Sequence, residues 1–140
     1  MFAKIIIPVD IEHIDQARAA IAVARHSLDR EGQLTLVHVV SPLPAYVAAQ
    51  VGNNIFESAR MEVELILNSL KTSEQLPDTT SIKVATGKAY REIIACIDDP
   101  KSQAIFMPAH RPRASDILLG SVAAQVVRHA PCSVIVLRGM

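Results

Sequence analysis

Apolar and polar positions alternate along this chain between two periods. Short apolar runs read as strands: "AKIIIPV" at 3–9, "QLTLVHVV" at 33–40, "SIKVAT" at 81–86, "QAIFMP" at 103–108 and "SVIVLR" at 133–138. Three consecutive isoleucines ending at Pro8 suit a strand covered on both faces. Between the runs the spacing is helical. Ile14, Ala17, Ile21, Ala24 and Leu28 form one stripe in "EHIDQARAAIAVARHSLDREG", which Gly32 closes. Phe56, Val63, Ile66 and Leu70 form another, in a helix over about 54–72. "AYREIIACIDD" carries Ile93, Ile94 and Ile97, and 121–130 carries Val122, Val126 and Val127.

The order is β-α-β-α-β-α-β-α-β, which predicts an α/β domain with a mainly parallel sheet and helices on both faces. Crossovers in such sheets are right-handed. Ligands bind outside the carboxyl ends of the strands, where strand order reverses. The positions of interest are therefore Pro8, Val9 and Asp10, then Val39 and Val40, Gly87, and Met107 through Arg113. Residues 41–54, "SPLPAYVAAQVGNN", are the longest irregular stretch. A loop of that length either serves function or holds a helical turn.

Composition narrows the classes. At 140 residues one domain is expected, with half the chain hydrophobic and 20% charged. Fourteen basic residues balance fourteen acidic ones, which argues against a nucleic-acid binder. No apolar run reaches the roughly 18 residues of a membrane span, and the start does not read as a signal peptide. A cytoplasmic protein is expected. Cys96 and Cys132 make no metal or redox motif and read as two buried thiols. His13, His26 and His129 read as surface groups, and His38 as a packed core residue.

The common phosphate-loop, dinucleotide and serine-elbow motifs are absent. "MPAHRPRASDILLGSVAAQ", 107–125, is the remaining candidate. Gly120-Ser121 at a helix start can bare backbone N–H groups toward an anion. Gly120 permits close approach, and Ser121 can cap the helix or donate to phosphate. His110, Arg111 and Arg113 add donors suited to phosphate oxygens. Set against this is an ordinary capped helix with solvated arginines. Asp10 is open to two readings as well, as a ligand contact or as a cap for the first helix.

The chain resembles the universal stress protein family over its whole length. "KIIIPVD", "LTLVHVV" and "TGKAYREII" resemble the first strand and acidic turn, the second strand, and the glycine-led third helix. "LLGSVAAQVVRHAPCSVIVLR" resembles the C-terminal signature. Nucleotide-binding members carry Gly, two residues, Gly, nine residues, then Gly-Ser or Gly-Thr. Gly120-Ser121 match, whereas Met107 and His110 stand at the two upstream glycines. The chain is then either a non-binding member or one with a variant loop, in which His110, Arg111 and Arg113 serve as phosphate partners. The surviving Gly120-Ser121 pair and local positive charge favour the variant.

The resemblance implies a Rossmann-like, five-stranded parallel sheet of order 3-2-1-4-5, and ATP, with or without Mg²⁺, as ligand. It places adenine against Pro8, Val9 and Asp10 with the backbone of Val39 nearby, and Met107 and Pro108 within the site. The ribose would face Asp10 or the Gly87 turn. The phosphates would lie on Gly120, Ser121, Val122 and Ala123. It further implies a homodimer through strand 133–138. No residue stands out as a base for hydrolysis, so an ATP-binding stress protein is expected rather than an enzyme. A nucleotide-free dimeric interaction module is the alternative.

Overall fold

The computed structural model describes residues 1–109 and 119–139. Five strands form one parallel sheet: β1 (Phe2–Pro8), β2 (Leu28–Val40), β3 (Ser81–Thr86), β4 (Gln103–Pro108) and β5 (Ser133–Leu137). Their order is β3-β2-β1-β4-β5. The helices are α1 (Ile14–Ser27), α2 (Ala45–Val51), α3 (Asn53–Ser73), α4 (Ala89–Ile94) and α5 (Ser121–His129).

The sheet is covered on both faces, as the isoleucine run requires. Ile5 and Ile7 point into a layer with Ile21 of α1, Leu67 of α3 and Phe106 of β4. Ile6, between them, points the other way, toward Ile93, Met107 and Val126 beneath α4 and α5. All three isoleucines have no exposed surface. Alternate residues of one strand thus serve two separate cores.

Several boundaries differ from the sequence reading. The first helix ends at Ser27, and β2 begins at Leu28 instead of after Gly32. Residues 28–33 of β2 pass beside only residues 2–4 of β1, an irregularity in the register. The helical stripe continued into this bulge because Leu28 packs on the same core as α1. Gly32 marks the close approach. A Cβ there would lie 2.6 Å from Leu28 Cγ and 2.9 Å from the Asp29 carbonyl oxygen. Gly32→Ala is therefore expected to cost about 1–3 kcal/mol in a denaturant melt. An unchanged midpoint would show that the bulge relaxes freely.

Helix α4 stops at Ile94, before the expected end at Asp99. The 41–54 stretch holds α2. In α3, Leu67 and not Ile66 is the fully buried position. In α5, Val127 is 47% exposed while Ala123 and Val126 face the core. Cys96 is buried as expected, but Cys132 is only half-buried. Burial raises both thiol pKa values, so neither is an activated nucleophile.

Candidate functional site

Strand order reverses between β1 and β4, since β1 continues toward β2 on one side and meets β4 on the other. The crevice rule directs attention to the carboxyl ends of these two strands. A cavity of about 210 Å³ lies there. Pro8, Val9 and Asp10 line it from β1, Val39 from β2, and Met107 and Pro108 from β4. Val122, in the first turn of α5, closes it. These are the positions to which the sequence reading assigned a nucleotide, and the fold brings them together. A larger hollow of about 390 Å³ runs between α1 and α3. It lies away from the strand ends and gathers none of those residues.

The turn after β1 is built by its own polar groups. The Val9 N–H donates to the Val37 carbonyl at 2.8 Å, which extends the pairing of β1 with β2 by one step. Asp10 then organises the entry to α1. Its Oδ1 accepts from the Glu12 N–H at 3.0 Å, and its Oδ2 lies 3.0 Å from His13 Nδ1. The alternative reading of Asp10 as the cap of α1 is not seen. His13 is the N-cap, and its side chain makes no cap bond. An Asp that folds back on the next two or three residues instead forms an Asx turn. The Asp10–His13 pair is partly exposed and adds little stability, but it fixes which way the carboxylate faces.

Met107 answers part of the question raised by the missing glycines. It lies within β4, paired with Val136, and is buried beside Ile93 and Val126. Among the described non-glycine residues only Gln75 has a positive φ. A methionine is therefore unstrained at this position. The second position, His110, lies outside the described residues, as do Arg111 and Arg113.

The two flanks of that segment are joined. The Ala109 N–H donates to the Leu137 carbonyl at 2.8 Å, and the Gly120 N–H donates to the Ala109 carbonyl at 2.9 Å. The start of α5 is thus tied to the end of β4. Gly120, not Ser121, is the N-cap, with φ −60° and ψ 158°. Ser121 is the first helical residue, so of its two readings the capping one is not seen. No side chain among the described residues caps this helix. Ala124 bonds back to the Gly120 carbonyl, and the N–H groups of Ser121, Val122 and Ala123 precede that first helical bond. They form the donor end of a helix, which favours anions. The Ala123 side chain is buried in the core, so only its backbone is available.

Sequence reasoning missed two polar groups of the cavity, Gln16 and His38. His38 was expected in the core. It is only partly buried, and its Nδ1 lies 2.8 Å from the Val9 carbonyl. The strand-end rule could have found it, because Val39 beside it was already selected. Gln16 sits one turn into α1 and carries no motif. Gly87 does not line the cavity, although Ala89 does. Its role is local. It has φ +150°, donates to the Val40 carbonyl, and a Cβ would lie 2.8 Å from Glu92 Oε1.

No group of three or more His, Cys, Asp or Glu side chains among the described residues could hold a metal ion. No described helix is long and apolar enough to cross a membrane.

The architecture is that of a doubly wound α/β protein with a crevice at its switch point. The universal stress protein family model matches residues 1–138, and the chain belongs to that family. Universal stress protein G of Shigella flexneri is 27% identical over 143 residues, covering 99% of this chain and all of the relative. Among solved structures, universal stress protein UspA from Lactobacillus plantarum superposes with a TM-score of 0.71 at 22% identity, covering 98% of each chain. A universal stress protein in complex with cAMP superposes with a TM-score of 0.61 at 15% identity, covering 98% of this chain and 97% of that one.

Proposed function

We propose that this universal stress protein binds ATP in the β1/β4 crevice and works as a nucleotide-responsive binding protein, not an enzyme. The observation that carries this reading is the abutment of two unlike features. One is a mostly apolar cavity at the strand ends. The other is the N-terminus of α5, uncapped by any side chain among the described residues, which begins at Ser121 beside Val122 of the cavity wall. An apolar slot beside a helix's donor end matches a flat base joined to a phosphate chain. At about 210 Å³ the cavity is below the usual range for a whole ligand and suits the base alone. The phosphates then extend along Gly120, Ser121, Val122 and Ala123, with any Mg²⁺ carried by the nucleotide. The relative in complex with cAMP supports an adenine nucleotide as the class of ligand.

Asp10 is the one carboxylate on the described cavity wall, and both its oxygens are engaged by the turn it organises. That supports a positioning role and not a general base. Strand β5 is a sheet edge, and pairing it with a second copy would cover it. A reducing, cytoplasmic compartment fits the two free thiols.

Calorimetry with millimolar ATP and Mg²⁺ tests the reading, alongside mass analysis of any nucleotide retained on purification. Saturable binding with no phosphate release above background is expected, and sedimentation should show a two-chain mass. No heat and no retained nucleotide would overturn the proposal in favour of a nucleotide-free interaction module.

A further inference from the structure

The stretch that follows β2 belongs to neither core. The chain leaves that strand at Val40, one residue beyond the cavity wall at Val39. Residues 41–56 carry no charged side chain. Yet none of them joins either core layer, and α2 within the stretch has no buried residue. Tyr46 is 73% exposed, and Leu43 and Ile55 are open to solvent as well. Apolar surface left in water costs free energy in proportion to its area. An uncharged, exposed helix of this kind points to a partner that covers it.

The fold restricts where that partner lies. The strands are parallel, so β2 ends on the same edge of the sheet as β1 and β4, whose ends make the crevice. Helix α3 runs back from that edge to the start of β3 at Ser81, so its first residue, Asn53, lies there too. Both ends of α2 are thus held at the crevice edge. Residues 41–44 join it to Val40, and at about 3.3–3.6 Å per extended residue they let α2 begin within roughly 18 Å of that strand end. The helix is about 10 Å long, enough to span the mouth of a cavity of about 210 Å³. Its main packing partner is α3, and the joint between the two is a single residue. Gly52 has φ 72° and ψ 159°, a conformation essentially restricted to glycine. A Cβ there would meet nothing within 4 Å. The joint is free of packing, so it can turn without disturbing the core.

We infer that α2 is a lid that turns about Gly52 and lays Tyr46 over the base in the β1/β4 crevice. The inference rests on the proposed nucleotide site and adds a cover to it. The cavity wall is mostly aliphatic and includes no Phe, Tyr or Trp. A flat base gains from an aromatic ring laid against its face. Of the two tyrosines, Tyr90 is already stacked on His129, with ring centroids 5.2 Å apart. Tyr46 stacks on no ring among the described residues. Closure meets two needs at once: the base gains a cover, and the apolar side chains of α2 leave water.

The chain has no tryptophan, so Tyr46→Trp introduces a single reporter at an exposed position. Iodide quenching of that variant is read with and without saturating ATP and Mg²⁺, at two protein concentrations. Calorimetry compares ATP binding by the wild type, Tyr46→Phe and Tyr46→Ala. ATP should shield the tryptophan from iodide at both concentrations. Tyr46→Ala should bind ATP roughly tenfold more weakly, with an unchanged melting temperature. Tyr46→Phe should bind as the wild type does, because stacking uses the ring and not the hydroxyl. Full access of iodide at saturating ATP, or wild-type affinity in Tyr46→Ala, would overturn the inference and leave the nucleotide site standing. Shielding that follows protein concentration and not ATP would assign the face of α2 to a second copy and overturn it as well. If the wild type binds no ATP, the lid and the site fall together.

Discussion

Gly120→Val is expected to weaken ATP binding at least about tenfold while leaving the fold intact. Valine accepts the backbone conformation, since φ −60° and ψ 158° lie in the extended region. Loss of the glycine at an N-cap position costs about 1 kcal/mol at most. The bound state is affected more. A phosphate approaching the N–H groups of Ser121, Val122 and Ala123 passes the α-carbon of Gly120, and a branched side chain there stands in its path. Hydrogen bonds to a charged group contribute about 1.5–3 kcal/mol each, so losing one already accounts for the expected factor. Calorimetry on the folded variant checks it, with circular dichroism as the control for structure. Equal affinity in wild type and variant would mean that the phosphates do not lie on α5.

Phe106→Ala should produce the largest loss of stability. Phe106 is 2% exposed and packs edge to face on Phe2, with ring centroids 6.1 Å apart. It sits in β4 among Ile5, Leu34 and Ala104, in the layer under α1 and α3. Truncation removes most of an aromatic side chain from a close-packed region and leaves a cavity, at a cost of about 3–5 kcal/mol. Guanidinium denaturation should show a lower midpoint with an unchanged slope. A cost below about 1.5 kcal/mol would mean that the layer collapses to refill the space. Met107, next along β4, faces the opposite layer. The folded fraction of the variant should therefore keep its nucleotide affinity, so stability and binding can be scored apart.

Together these variants probe two products of one strand pattern. In β4, alternate residues go to opposite cores, and the strand's end then delivers Met107 and Pro108 to the cavity. The same holds for β1, where Ile5, Ile6 and Ile7 divide between the layers and Pro8, Val9 and Asp10 follow. Runs of this kind were plain in the sequence because a strand buried on both faces must be apolar throughout. Their length also placed the strand ends, and so the crevice residues, to within a residue or two.

Three features resisted sequence reading, each for a physical reason. The bulge at the start of β2 was read as helix because Leu28 keeps the apolar stripe of α1 in phase. Register irregularities depend on the neighbouring strand, which a single-chain pattern does not contain. Ser121 was read at the start of α5, where it lies, but which residue of the Gly-Ser pair caps was left open, because either one can serve there. His38 was assigned to the core because it lies inside an apolar run. Only the pairing of Val9 with Val37 brings a carbonyl within reach of its ring.

By itself, then, the sequence determined what local pattern controls: five strands, four of the helices between them, and the Gly120-Ser121 helix start. The tertiary structure decided what depends on contacts distant along the chain. Parallel pairing set β4 beside β1 and so opened the crevice at their ends. The bonds from Ala109 to Leu137 and from Gly120 to Ala109 brought the donor end of α5 to that crevice. A hydrogen bond across 29 positions gave His38 its proton placement, which no periodicity of apolar residues encodes.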